Sequence, residues 1–408
     1  MSMSQQVNAE ISNHSVHYWA SSPSLSAITR LQLARRHNDQ YDWLDAEFAN
    51  LRGCQSWLAS QKHPEETHLR LEYIRVLAPY LQQRGFQAEL VGWCEGWLRD
   101  SKTVPQNPGW VLLLLGLGQN ALGRWNEAAM SFHAAIEASE REDPRTHAQA
   151  LLALGRLQFN QGDYGIAFET MNASVTSSTL AEDNEHVMIV RAEMAAYHLN
   201  RGDLDKALSL YLEINRLRQN AGVSEPSDHT LLMLGVVYRR KKDYERASAC
   251  LRRLLEGGEM LRSRSTTATA AHHLAWVYLS QGDLRQARSL CGQALALYRE
   301  IGDERGLSDT YEQLGCIVLV AGQGREAIEH LKKSLFTRRQ LHNQQGEASS
   351  LRHLAIAYLT MGHLATAFRH MWQSLLIYHR LGVLSRQRVF TMLRELLRWA
   401  VGRQRWIK

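Results

Sequence analysis

Apolar residues recur at helical spacing through most of the chain, and the pattern breaks and restarts at a fixed interval. Around Gly235, the residues Leu231, Leu234 and Tyr238 share one helix face; Lys242 and Asp243 interrupt it; Tyr244, Ala247, Leu251 and Leu254 resume on a second helix. The same phrase returns along the chain. Its clearest marker is an alanine on the second helix, at Ala128, Ala167, Ala207, Ala247, Ala287, Ala327 and Ala367. The first interval is 39 residues and the next five are 40. A fixed period of this size predicts a stacked array, in which each antiparallel helix pair buries its apolar face only against its neighbours.

The joints follow the same period. Glycine stands at the turn as Gly123, Gly162, Gly202, Gly282, Gly322 and Gly362, where a positive φ ends the first helix; Lys242 takes that place in one unit. Asp163, Asp203, Asp243 and Asp283 come next and can cap the second helix. A small residue recurs on the first helix as Gly116, Gly155, Ala195, Gly235, Ala275, Gly315 and Ala355, so that it and the repeating alanine let the two helices approach closely. Of the seven prolines, five precede Trp110, which leaves the array poor in helix breakers.

These phrases closely resemble the tetratricopeptide repeat. The pattern stands as Leu234-Gly235, Tyr238, Asp243-Tyr244 and Ala247, and again as Leu274-Ala275, Tyr278, Gly282-Asp283-Leu284 and Ala287. The common repeat runs about 34 residues, and the extra residues here lie between units, as at 298–306. That layout looks like the longer repeats of kinesin light chains and bacterial signalling regulators. The resemblance implies an all-α, right-handed α-solenoid of about seven to eight 40-residue helix pairs with terminal capping helices. The expected organisation is a flexible N-terminus over 1–25, a helical region with a divergent first repeat over 26–105, seven repeats over 106–382, and a basic capping helix over 383–408. Within the second region, Asp45 to Leu58 resembles the segment that joins the ATPase core to the repeats in STAND regulators, which couple a nucleotide switch to a repeat sensor. Those ATPases need G-x-x-x-x-G-K-[ST]. The string is absent from this chain, so the sensor part alone is expected.

Charge and chemistry narrow the classes. A formal charge of +6 over 408 residues is modest. Only Arg386, Arg388, Arg394, Arg398, Arg403, Arg405 and Lys408 cluster, so nucleic acid is an unfavoured partner that stays open at the basic C-terminus alone. Five cysteines without C-x-x-C spacing fit a reduced, cytoplasmic chain. Met1 to Ser24 lacks the features of a signal peptide, and the apolar run from Trp110 to Leu115 is too short to span a membrane. Neither H-E-x-x-H nor G-x-S-x-G occurs. No catalysis, cofactor or metal is expected. His272 and His273, about 100° apart on a helix, read as one packed and one solvent-facing ring. Cys250, Cys291 and the tryptophans Trp93, Trp97, Trp125, Trp276 and Trp372 read mostly as packing.

A binding role remains. In the family resembled, the first helices line a concave groove, at positions six and three before the small residue and one, four and five after it. Those positions select Asn120, Arg156, Phe159, Asn160, Asn200, His229, Arg239, Arg240, His272, Trp276, Glu312 and Arg352, with Trp110, Gln149 and Asp309 beside them. Asn120, Asn160 and Asn200 could hold a peptide backbone in a ladder; Arg239, Arg240 and Trp276 suit an acidic or aromatic group. The expected partner is a protein or peptide in the groove, within a larger regulatory complex or without one, and no membrane. The resemblance leaves three roles open: a scaffold or sensor in bacterial signalling, transcriptional regulation or defence; a Rap-like receptor of a peptide pheromone; and an adaptor subunit of an enzyme complex.

Overall fold

A computed structural model of the chain describes residues 23–38, 40–61, 64–100, 108–141, 143–223 and 225–381. The expected flexible start, apart from its last few residues, and the basic C-terminal helix lie outside them. The described residues form helices alone, in the order α1 Pro23–Arg36, α2 Tyr41–Ser60, α3 Pro64–Gln83, α4 Gln87–Asp100, α5 Gly109–Ala121, α6 Trp125–Ser139, α7 Pro144–Gln161, α8 Tyr164–Leu180 and α9 Asn184–Arg201. There follow α10 Leu204–Asn220, α11 Asp228–Arg240, α12 Tyr244–Met260, α13 Arg264–Gln281, α14 Leu284–Ile301, α15 Glu304–Val320, α16 Gly324–Gln340, α17 Gln344–Thr360 and α18 Leu364–Arg380. The fold is an α-solenoid of helix pairs, as the period predicts. The chain divides into two compact units, 1–194 and 195–408.

In the first unit, α2, α3 and α4 build a core rich in aromatic rings. Phe48 lies 4.7 Å from Phe86 and 5.3 Å from Tyr80, centroid to centroid. Trp97 is 1% exposed and donates its Nε1–H to the Thr67 carbonyl at 3.1 Å. Asp45 accepts from the Tyr80 hydroxyl at 2.8 Å and from Arg84. Beyond this core, α5 packs on α6 and α7 on α8.

In the second unit, each helix from α11 to α18 packs on the next, and the successive first helices α11, α13, α15 and α17 also touch side by side. Core clusters link the second helix of one pair to the first helix of the next. Ala247 and Leu251 meet Leu274 and Val277; Cys291 meets Leu314 and Ile317; Leu331 meets Leu351 and Leu354. Each buried leucine stabilises the stack by about 1.5–3 kcal/mol. The small residues act as expected. A Cβ built on Gly235 would stand 2.6 Å from Leu251 Cγ, and one on Gly315 would stand 2.6 Å from Leu331 Cγ. All seven repeating alanines are buried.

The joints carry some corrections. Lys242 adopts the glycine conformation at its turn, with φ 64, and Lys242 N–H and Asp243 N–H bond back to the Arg239 and Tyr238 carbonyls at 3.0 and 2.9 Å. Asp243 and Asp283 cap their helices, accepting from Arg246 N–H at 3.1 Å and Gln286 N–H at 3.0 Å. Asp163 and Asp203 make no such side-chain bond, contrary to expectation; the Asp203 carboxylate turns instead to His198. Trp125 and Trp372 do not pack as read either. They are 58% and 54% exposed, because their helical positions point away from the seam between repeats.

Candidate ligand-binding face

The side-by-side first helices of the second unit carry most of the selected residues. Arg239, near the end of α11, holds its guanidinium 5.8 Å from the centroid of the Trp276 ring on α13, within the range of a cation–π contact. It is half-buried, and no carboxylate among the described residues pairs with it. Burial, helped by the charge of Arg240, lowers its pKa, yet a guanidinium stays charged. Arg240 is partly committed elsewhere. Its NH1 donates to the Leu199 carbonyl at 2.8 Å, which satisfies the C-terminal end of α9 and favours its dipole.

Behind this pair stand two neutral histidines. The His272 and His273 rings meet edge to face at 5.1 Å. His272 Nδ1 lies 3.1 Å from Thr310 Oγ1, and Gln313 donates to the His272 carbonyl at 3.1 Å. Because α15 packs across this side of α13, His272 is 8% exposed and His273 half-buried, so the expectation of one solvent-facing ring fails. Burial lowers His272 to about 4 and His273 to about 3, with Arg239 adding to both shifts.

Glu312 is spoken for inside the fold. It is 8% exposed, accepts from Arg338 at 2.8 Å, and lies 2.8 Å from His353 Nδ1. Arg338 comes from the second helix α16 and is 4% exposed; it also donates to Asp309 at 2.7 Å, to the Gly346 carbonyl at 2.8 Å and to Ser350 Oγ at 2.8 Å. Burial alone would raise the Glu312 carboxyl, but His353 and Arg338 hold it well below the usual range. Burial would likewise lower His353; the Cys316 sulfur and the Glu312 carboxylate outweigh that and Arg352, and lift it to about 9. Glu312 and Asp309 therefore fasten α15 to α16 and α17 rather than offering free carboxylates. Arg352, half-buried, places NH2 3.0 Å from His353 Nε2.

The remaining selected residues divide by surroundings. In the first unit, Arg156 is ion-paired with Glu193, and Phe159 packs 4.8 Å from Tyr164 and 6.3 Å from Phe168. Asn120 is half-buried near the end of α5, and Asn160 is exposed near the end of α7. In the second unit, Asn200 is exposed, as is His229, whose ring lies 6.3 Å from Tyr211. The position rule missed Arg338, His353, His273 and Gln313. Arg338 left a signal: it is a charge where the neighbouring repeats have Tyr298 and Tyr378.

Family models of the tetratricopeptide repeat match residues 227–300, 266–335 and 348–381. No curated protein matches at the sequence level. Among solved structures, the apo quorum sensor NprR of B. thuringiensis is 13% identical with a TM-score of 0.58, over 86% of this chain and 97% of that one. Apo RapI is 12% identical with a TM-score of 0.56, over 67% of this chain and 98% of that one. A STAND protein with a tetratricopeptide repeat sensor from Pyrococcus horikoshii is 11% identical with a TM-score of 0.50, over 83% of this chain and 53% of that one. With this period and these helix pairs, residues 227–335 and 348–381 carry tetratricopeptide repeats, and the fold of the chain is similar to that of a STAND protein bearing a sensor of such repeats.

Proposed function

We propose that the chain is a non-catalytic scaffold or sensor that binds a protein or peptide across the first helices of its second unit, with an acidic group of the ligand at Arg239. The observation that carries this reading is the state of that arginine. Arg70, Arg156, Arg288 and Arg338 each have a carboxylate partner. Arg239 is half-buried over Trp276 with none among the described residues. A desolvated cation beside an aromatic face and two neutral imidazoles favours an incoming anion with an apolar neighbour. The fold likeness to a quorum sensor supports a short peptide as the ligand and a signalling role for the chain.

A displayed peptide library selected on the wild-type chain and screened again on Arg239→Glu tests this. Arg240 is left intact because it also closes α9. Peptides that share an acidic residue and lose at least about tenfold in affinity on the variant, as loss of a charged hydrogen bond of about 1.5–3 kcal/mol requires, support the reading. Equal binding to both proteins sinks it. Pull-downs from native cells with the same two proteins then identify a protein partner, if the ligand is one.

A further inference from the structure

The last described helix carries large apolar residues on its outer side. Leu364, Phe368, Trp372 and Leu376 follow one another at four-residue spacing on α18, and they are 66%, 71%, 54% and 38% exposed. The Phe368 and Trp372 rings lie 6.5 Å apart and nearly parallel. Residues spaced by four form one ridge along a helix, the kind that enters the groove of a second helix. A contiguous exposed apolar row with polar residues at its edges marks an interaction surface.

Packing within the array does not account for the row. The side of α18 turned to α17 is a different one, where Met371 and Tyr378 are buried with Ala348 and Ala355. One more repeat after α18 would not cover the row either. In the three preceding pairs, each followed by a further repeat, Arg252, Gly292 and Lys332 stand in the place of Trp372, and Glu256, Ala296 and Phe336 in the place of Leu376. All six are exposed, and five of them are charged or small. The array therefore keeps these positions in water, and the last pair departs from it by making them apolar.

Charge selects what covers them. α18 holds no acidic residue, and exposed Arg369 and Arg380 stand beside Phe368 and one turn beyond Leu376. The one acid of α17, Glu347, is taken by Arg339 at 2.7 Å. Residues 344–408 contain ten arginines and lysines against two acids, Glu347 and Glu395, although the whole chain has a formal charge of only +6. A second copy laid on the row would set Arg369 and Arg380 against a like surface. Residues 382–408, with seven cations and one acid, would do the same.

We infer that the outer side of α18 is a second interaction surface, which takes an acidic amphipathic helix of another protein. Apolar residues of that helix cover Leu364, Phe368, Trp372 and Leu376, and its carboxylates face Arg369 and Arg380. The surface shares no residue with the ligand contact proposed at Arg239, so the two readings stand or fall separately.

The test selects a displayed library of helical peptides, one face randomised, on the full chain and measures affinities by fluorescence anisotropy. The selected helices should share apolar residues at i and i+4 and an excess of acids. Phe368→Gln with Trp372→Gln should weaken them at least about tenfold; both side chains are exposed, so far-UV circular dichroism should not change. Arg369→Glu with Arg380→Glu leaves the row intact and should also weaken them about tenfold at low salt, less at high salt. Arg239→Glu should bind them as the wild type does. The inference fails if no helix binds more tightly than about 10 μM, if the binders lack acids, or if the Phe368/Trp372 variant binds them equally well. Three other occupants would also overturn it. A wild-type dimer that Trp372→Gln dissociates would identify a second copy. Binding that appears only after removal of residues 382–408 would identify the chain's own end. Retention on phosphatidylserine vesicles or on an oligonucleotide, lost in Trp372→Gln, would identify a lipid or nucleic-acid surface.

Discussion

Two glycine-to-alanine changes in the same unit should move stability in opposite directions. Gly292 lies in the middle of α14, exposed, and a Cβ there meets nothing within 4 Å. Gly292→Ala should therefore add the helix-propensity gain of about 1 kcal/mol. Gly235 lies in α11, where the same Cβ would stand 2.6, 2.8 and 3.1 Å from three atoms of Leu251. Leu251 is 1% exposed, so it cannot swing clear. The propensity gain is still present, but overpacking costs about 1–3 kcal/mol. The two variants should differ by about 1–3 kcal/mol, with Gly235→Ala the less stable. Urea unfolding followed by far-UV circular dichroism measures this, provided the slope against urea stays that of the wild type. Leu251→Ala supplies the control. Alone it should cost about 2–5 kcal/mol, and with Gly235→Ala it should cost less than the sum, because the added methyl then fills the space the leucine left. If Gly235→Ala stabilises as much as Gly292→Ala, or if the double variant is additive, then close approach at the small residue is not what spaces the helices.

Five further outcomes follow from the same geometry. Lys242→Gly should raise the melting temperature through about 1 kcal/mol, since a lysine at φ 64 bears a left-handed strain that glycine does not. Glu312→Gln should destabilise the second unit by about 3–5 kcal/mol in the same urea assay, because it leaves Arg338 and His353 buried against an uncharged partner. Between pH 6.5 and 4, the unfolded chain takes up protons that His272 and His273, lowered to about 4 and about 3, refuse in the fold; stability should fall with pH by about 1.4 kcal/mol per unit for each ring, and His272→Gln should flatten the slope. On the alkaline side, the stabilisation from His353 is full below 6.5 and lost as pH rises through about 9, so urea midpoints should decline there too. Trp276→Glu should give Arg239 a carboxylate within the chain, leaving the fold in place while peptides selected on the wild type no longer bind; retained binding would mean Arg239 is not the anchor.

The period, the small residues and the turn positions were legible because each is a local demand. A glycine turn needs φ > 0 wherever it falls, and Lys242 could be seen as the exception that has to adopt it. Face-lining positions were legible in part, since helical spacing fixes which side a residue occupies. What spacing cannot show is how far a long side chain of the neighbouring helix reaches. Arg338 lies on a second helix, outside the rule, yet its guanidinium spans from Asp309 and Glu312 to Gly346 and Ser350. The same limit hid the pairing of Arg156 with Glu193, 37 residues away, and the contacts of Thr310 and Gln313 that cover His272.

The face-lining charges of the second unit thus meet two fates, decided by whether the adjacent repeat brings an opposite charge within reach. Around α15 it does: two carboxylates one turn apart face an arginine from α16 and a histidine from α17, and burial makes that pairing obligatory, since breaking it leaves an uncompensated charge. Around α11 it does not. The next first helix brings Trp276 and two histidines that burial keeps neutral, so Arg239 retains its charge with no carboxylate partner among the described residues. The difference lies in three residues, because one repeat earlier the positions of Asp309, Glu312 and Arg338 hold Thr269, His272 and Tyr298, so α13 brings Arg239 no carboxylate. A repeat array can therefore use one scaffold for both purposes. Where successive first helices carry complementary charges they bind each other, and where they carry one charge beside neutral rings that charge is the feature on which the proposed ligand contact rests.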